Sequence, residues 1–234
     1  MEMGKKMRSA IAIINPKNNQ PLSLSNGSLQ DEEGNVFPVI SGIPRIAQFN
    51  NYTSSFGMQW NKFDKIQLDR ETDGYNMSRQ RFFAETHWNA QDLTEKNVLE
   101  VGSGAGRFSK VVLESTSATL YSIDYSDAVT ANFKNNSSIA ANRFHLFQAS
   151  IYEMPFPDDS FDKVFCLGVL QHTPNFDASV KALIRKAKPG GEIVVDFYPI
   201  NGWWTKIHAK YILRPITKRL SHKRLMQMIE SNIN

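Results

Sequence analysis

The stretch Asn97-Val98-Leu99-Glu100-Val101-Gly102-Ser103-Gly104-Ala105-Gly106-Arg107-Phe108 decides the fold. An apolar run enters three alternating glycines, and a proline-free segment suited to a helix follows. Glycine lets the chain turn sharply and lets a ligand come close, while the first turn of a helix presents unpaired N–H groups. A dinucleotide loop uses Gly-x-Gly-x-x-Gly to seat a pyrophosphate on that helix end. Here the spacing is Gly-x-Gly-x-Gly, and Arg107 stands where the dinucleotide pattern wants glycine. Glu100 adds a carboxylate at the carboxyl end of the strand, which repels a pyrophosphate and attracts an amine. The expected ligand is cationic at one end.

Downstream, Tyr121-Ser122-Ile123-Asp124-Tyr125-Ser126 ends a second strand, with Asp124 twenty residues beyond Gly104. An acid there accepts hydrogen bonds from ribose hydroxyls, and Tyr125 can cover an adenine face. Phe147-Gln148-Ala149-Ser150-Ile151-Tyr152-Glu153-Met154-Pro155-Phe156 and Phe161-Asp162-Lys163-Val164-Phe165-Cys166-Leu167-Gly168-Val169-Leu170-Gln171-His172 bring two more strand ends to the same edge. Ligands of open α/β sheets bind there. The pattern predicts strands at 98–101, 119–123, 144–148, 161–167 and 192–198, and helices at 107–114, 126–135 and 177–187. Lys188-Pro189-Gly190-Gly191 reads as a turn before the fifth strand. The fold class expected is α/β, a doubly wound and mainly parallel Rossmann-like sheet.

Together these segments resemble the class I S-adenosylmethionine-dependent methyltransferases, of the small-molecule, ubiquinone-biosynthesis-like type, over about residues 82–198. Glu-Val-Gly-Ser-Gly-Ala-Gly at 100–106 is similar to the family's first motif, and Asp124 to its ribose acid. Met154-Pro155-Phe156 through Phe161-Asp162 is similar to the adenine-side loop, and Ala187-Lys188-Pro189-Gly190-Gly191 to the turn before strand five. The resemblance implies S-adenosylmethionine as cofactor, S-adenosylhomocysteine as its product, and no metal. It implies that Glu100 and Gly102 hold the methionine moiety, with Ser103, Gly104 and Gly106 completing the loop. Asp124 would take the ribose, Tyr125, Ser150 and Ile151 would frame adenine, and Leu167 would line the methionine side. Ser150 stands where many relatives place an aspartate. His172, just past the fourth strand, is the candidate general base; packing as an ordinary loop histidine is the simpler reading. The acceptor implied is a small molecule or a saccharide. An RNA or protein methyltransferase docking through the tail, and a non-catalytic S-adenosylmethionine-binding subunit, stay open beside it. A nucleotide-linked oxidoreductase is opposed by the loop spacing and Glu100. The family sheet adds two strands after the fifth, and nothing after Tyr198 supplies them. Either the chain is a truncated form, or the fifth strand is an edge covered by the tail, a partner or a second copy.

Upstream, residues 1–48 read as a small β-rich segment of short apolar stretches punctuated by Asn, Pro, Ser and Gly. Asn15-Pro16-Lys17-Asn18 and Asp31-Glu32-Glu33-Gly34 resemble a zinc ribbon with its four cysteines replaced. Those residues cannot form a thiolate site, so no zinc is expected. Residues 49–96 read as an aromatic lid or linker, helical within 75–93, with Phe56-Gly57-Met58-Gln59-Trp60-Asn61 the best lid candidate. Most of its aromatics, Phe82 and Trp88 among them, are expected to serve as packing. Residues 97–200 form the cofactor domain, and 201–234 a basic tail.

With 41% hydrophobic residues in a chain of 234, a sizeable core can form. No run of about 18 apolar residues could span a membrane. One cysteine, Cys166, is expected to be buried filler, and a cytoplasmic location follows from cysteine usage and the lack of a secretion signal. From Asn201 onward seven basic residues face one acid, +6, whereas the first 200 residues carry 20 basic and 22 acidic, −2. The net +4 therefore belongs to the tail, and no nucleic-acid partner is expected of the body.

Overall fold

The computed structural model describes residues 11–47 and 76–196, with Asn61 and Leu68 as single positions. The proposed lid at Phe56 to Trp60 and the basic tail lie outside the described residues.

The N-terminal segment is an antiparallel meander of β1 (Ser23–Ser25), β2 (Ser28–Gln30), β3 (Val36–Ile40) and β4 (Ile43–Pro44). Asn26-Gly27 and Ser41-Gly42 close its two tight hairpins with positive φ at both residues, 48° and 75°, then 53° and 80°. That geometry matches the twist of the flanking strands. Where the ribbon resemblance places metal ligands, the carboxylate of Asp31 stands at a hub. Its Oδ2 accepts from the side-chain amides of Asn15 (2.7 Å), Asn18 (3.0 Å) and Asn35 (2.8 Å), and Oδ1 from the Asn35 N–H (2.9 Å). Three of the four expected positions thus meet, and Asn35 replaces Gly34, which has no side chain to offer. Burial disfavours the charge, yet these donors together hold the Asp31 carboxyl below the usual carboxylate range.

The second sheet has the order β7-β6-β5-β8-β9, all parallel, from β5 (Asn97–Val101), β6 (Thr119–Asp124), β7 (Phe144–Gln148), β8 (Phe161–Cys166) and β9 (Ala187–Val195). Helices α1 (Met77–Thr86), α2 (Arg107–Ser115), α3 (Val129–Asn136) and α4 (Phe176–Lys186) complete the unit. This is the expected Rossmann-like α/β fold. The chain steps outward from β5 to β6 to β7, then returns to β8 and β9, so the direction of winding switches between β5 and β8. Strand alternation sends Leu99, Val101, Tyr121 and Ile123 into one core with Ala182 and Leu183 of α4. Val98 and Leu120 enter another with Val111, Val112 and Leu113 of α2.

Leu29 and Ile46 of the N-terminal segment join the first of these cores, and the backbone N–H of Ile11 donates to the Tyr121 hydroxyl at 3.0 Å. After β4 the chain runs beside the end of β7, where the N–H groups of Ile46 and Ala47 both donate to the Gln148 carbonyl (2.8 and 2.9 Å). Phe82 and Trp88 are buried against Phe165, as packing residues should be. Cys166 is fully buried, which pushes its thiol pKa up.

Two expectations need correction. Lys188-Pro189-Gly190-Gly191 does not precede the fifth strand but lies inside β9. Phe161 pairs with Ala187 and Lys163 with Glu192, so the extra residues bulge out of the ladder and pairing resumes beyond them. Helix α3 starts at Val129 rather than 126, because the Ser126 side chain turns back to Asp124. Among the described residues no helix is long and apolar enough to cross a membrane.

Candidate functional site

The glycine loop leaves β5 and is tied at once to the neighbouring strand: the N–H groups of Gly102 and Ser103 donate to the Ile123 carbonyl at 2.8 and 3.1 Å. Gly102 and Gly106 sit at φ +83° and +87°, where a side chain is strained. A Cβ at Gly102 would come within 2.3 Å of Val169 Cγ2, and one at Gly106 within 2.1 Å of Asn136 Nδ2 and 2.2 Å of Asn132 Oδ1. Both positions need glycine twice over, for torsion and for space. Helix α2 then begins at Arg107. Asn135 and Asn136 of α3 brace the loop by donating to the carbonyls of Ala105 and Gly106, each at 2.9 Å.

Asp124 ends β6 beside this loop. Its Oδ2 accepts the Gly104 N–H at 2.8 Å, and its Oδ1 accepts the N–H and hydroxyl of Ser126 at 2.8 and 2.6 Å. Burial raises its pKa despite those donors. The loop after β5 and the acid ending β6 therefore meet at the carboxyl edge of the sheet, next to the switch in winding between β5 and β8, where open α/β sheets bind ligands.

Glu100 is placed differently from its expectation. Residue 100 points to the α2 face, opposite Ser122 in the strand register, and the side chain is 1% exposed. Its Oε2 accepts from the hydroxyls of Ser109 (2.5 Å) and Ser122 (2.8 Å). Desolvation pushes its pKa up to about 7, against those two donors and with some help from Asp124. The carboxylate lies under helix α2 and joins it to the sheet, so contact with a ligand amine is not what this geometry offers.

Ser103 is buried, and its hydroxyl has no hydrogen-bond partner among the described residues. Ser150, just past β7, accepts the Tyr152 N–H at 3.2 Å. Ile151 and Leu167 are buried with 8% exposure each, and Tyr125 is half-buried. His172 is exposed at the end of the short turn Leu170–His172, and its N–H donates to the Val169 carbonyl at 2.8 Å. Val169, in that same loop, covers Gly102.

Sequence reasoning missed two residues at this edge, Gln148 and Asp196. Gln148, 1% exposed at the end of β7, donates to the Tyr125 carbonyl at 3.2 Å and to Asp127 Oδ1 at 3.1 Å. Asp196, just past β9, accepts the Gly168 N–H and pairs with Arg81 of α1 at 3.1 Å. Both are polar residues ending apolar strands, the same signal that marked Asp124. Asn61, the one described residue of the lid candidate, donates to the Asp127 carbonyl at 3.0 Å. Among the described residues no cluster of three or more His, Cys, Asp or Glu side chains is placed to hold a metal.

Residues 99–195 match the sequence profile of a family described as methyltransferase domain. Over that stretch the chain is similar to a methyltransferase domain. A tRNA U34 carboxymethyltransferase of Nautilia profundicola is 31% identical over 111 residues, 47% of this chain and 37% of that protein. A ubiquinone/menaquinone biosynthesis C-methyltransferase UbiE of Vibrio vulnificus is 32% identical over 129 residues, 53% of this chain and 50% of that one. The chain thus spans half or less of the length of these curated relatives. A crystal structure of an S-adenosyl-L-methionine-dependent methyltransferase from Methanococcus maripaludis aligns with a TM-score of 0.51 at 13% identity, covering 79% of this chain and 85% of that one, which shows the shared fold. The methyltransferase family implies S-adenosylmethionine as the methyl donor.

Proposed function

We propose that this chain binds S-adenosylmethionine along the carboxyl edge of β5, β6 and β7 and transfers its methyl group to a small-molecule or saccharide acceptor. The observation that carries the reading is the bond from the Gly104 N–H to Asp124 Oδ2, which holds the glycine loop and the ribose acid together. The residues fit an adenosyl ligand. The buried Ser103 hydroxyl, in the glycine loop, lacks a partner among the described residues that a ligand group could supply. We assign the methionine side to Gly102, Ser103 and Leu167, the ribose to Asp124, and the adenine to Tyr125, Ser150 and Ile151. Glu100 supports this site from beneath. Residues 97–200 would form the donor-binding domain, 1–48 a brace at its edge and 49–96 its cover.

The donor, when bound, supplies a sulfonium methyl and its own neutral leaving group. The protein's part is alignment for in-line attack and exclusion of water, which can contribute about 7–11 kcal/mol. His172 is the group we assign to take the proton released by an oxygen or nitrogen acceptor.

Thermal unfolding with S-adenosylmethionine, S-adenosylhomocysteine and NAD side by side tests the reading. At a hundredfold excess over Kd a true ligand stabilises by about 2.7 kcal/mol, a rise of roughly 5–10 °C for a chain of this size. The first two should give it and NAD should not; stabilisation by NAD alone overturns the assignment.

A second acceptor class, RNA, is favoured by the +6 charge after Asn201 and by the tRNA-modifying relatives. Filter binding at two salt concentrations separates it from the first, because phosphate contacts weaken steeply with salt. Strand β9 ends the sheet among the described residues, and we place a partner or a second copy there. A monomer by sedimentation would exclude the second copy.

A further inference from the structure

Arg45, directly after β4, is a guanidinium 94% removed from solvent on the segment that the sequence marks only as small and β-rich. Its Nη1 donates to Gln148 Oε1 at 2.9 Å and its Nη2 to Thr130 Oγ1 at 3.2 Å, while Asp127 Oδ1 lies 3.7 Å from Nη1. Its Nε is buried without a partner among the described residues. Leaving a donor unpaired in the interior is costly, so this arginine is retained at some expense.

The consequence lies at Gln148, the partner of Arg45 Nη1. A Gln amide can sit either way round, and its orientation is decided by its hydrogen bonds. With Arg45 donating to Oε1, the Gln148 nitrogen must face the other way, toward the Tyr125 carbonyl and Asp127 Oδ1. Tyr125 follows the ribose acid directly, and residues 125–127 form the turn on the adenine side. The backbone seals the same junction, since Ile46 and Ala47 both donate to the Gln148 carbonyl.

We propose that Arg45 is a positioning residue of the methyl-donor site: by orienting Gln148 it fixes the turn at 125–127 that frames the adenosine end of the donor. This rests on the function proposed above and adds that the N-terminal segment is part of the binding machinery. No group on Arg45 touches the donor. Its effect is confined to the nucleoside half, because the loops bearing Gly102 and Leu167 are held by other bonds.

Calorimetric titration of the full chain with S-adenosylhomocysteine and with 5′-methylthioadenosine, which lacks the amino-acid arm, tests the proposal. Arg45→Met is expected to weaken both by the same factor, about tenfold, equivalent to one charge-assisted hydrogen bond. Arg45→Lys, which keeps one donor to Gln148, is expected to recover part of the loss. Gln148→Glu keeps an acceptor for Arg45 and removes the donor to Tyr125, so it is expected to weaken both ligands while the segment stays docked. If Arg45→Met unfolds, Gln148→Glu reads the same step. A folded Arg45→Met or Gln148→Glu that binds both ligands within twofold of the wild type overturns the proposal, and so does a loss confined to S-adenosylhomocysteine. Failure of the wild type to bind either compound overturns the functional reading and the proposal together.

Discussion

Gly34 in the N-terminal segment and Gly106 in the loop after β5 have nearly the same backbone torsion, φ +86° and +87°. A Cβ on Gly34 would meet nothing within 4 Å, whereas one on Gly106 would collide with two asparagines of α3. The carboxylates beside them differ as well. Asp31 accepts from four donors and is held below the ordinary range, while Glu100, sealed under a helix with two hydroxyl donors, is pushed up to about 7. Identical local chemistry thus acquires opposite meanings. An open turn needs only the torsion, whereas the loop after β5 is crowded from below by α3.

The largest effect expected is the collapse of that difference on substitution. Gly106→Ala adds torsional strain to overpacking against Asn132 and Asn136, both 0% exposed. They cannot give way, because the Asn132 amide donates to Ser109 Oγ at 3.0 Å and the Asn136 amide to Asn132 Oδ1 at 2.8 Å. A loss of about 3–5 kcal/mol is expected by denaturant unfolding. Gly34→Ala has the torsion alone to bear and should lose about 1–2 kcal/mol. Equal losses would show that torsion, not crowding, distinguishes the two turns.

Next come the carboxylates, whose pH dependences should have opposite signs. Unfolded, Glu100 titrates near 4.5, and folded at about 7. Between those values the native state keeps a proton that the unfolded chain has released, so stability falls as pH rises, by on the order of 3 kcal/mol, and is flat above. Glu100→Gln should abolish that fall when unfolding is compared at pH ~5 and ~8. Asp31, with its native pKa below the ordinary 3.8, contributes stability that is present above that value and lost as pH drops beneath it. Asp31→Ala should remove the acid-side loss and lower the unfolding midpoint at neutral pH, since three asparagine amides lose their acceptor. Chelator should change neither variant nor wild type if hydrogen bonds alone hold that hub.

Most of the sheet was legible in the chain itself. The run Phe144-His145-Leu146-Phe147-Gln148 forms a strand with the ends its apolar pattern predicts, because buried parallel strands read as short apolar blocks between polar breaks. The turn expected at Lys188 to Gly191 was misread for a physical reason. Proline and glycine mark a break in local geometry, but whether a break becomes a turn or a bulge depends on the partner strand, here on Phe161 and Lys163. Glu100 shows the same limit. Sequence places it at a strand end, yet the face it occupies becomes meaningful only once Ser109 and Ser122 close on it. Arg45 and Gln148 stand 103 positions apart, so no local spacing could have joined them.

The smallest effect expected brings the comparison to the donor site itself. Ser150, which we assign to the adenine side, has a hydroxyl whose oxygen already accepts the Tyr152 N–H at 3.2 Å. Ser150→Asp would keep that bond through one carboxylate oxygen and leave the other for the adenine amino group. Hydrogen bonds to a charged acceptor exceed neutral ones by about 1 kcal/mol, roughly fivefold in Kd. The position is half-buried, so the new carboxylate resembles Asp31, with backbone help and access to donors, more than the sealed Glu100. It should therefore stay ionised at neutral pH, and titration calorimetry should show S-adenosylhomocysteine binding more tightly with little change in thermal stability. An unchanged Kd would mean that residue 150 does not reach the base, and the adenine side would then have to be assigned to Tyr125 and Ile151 alone.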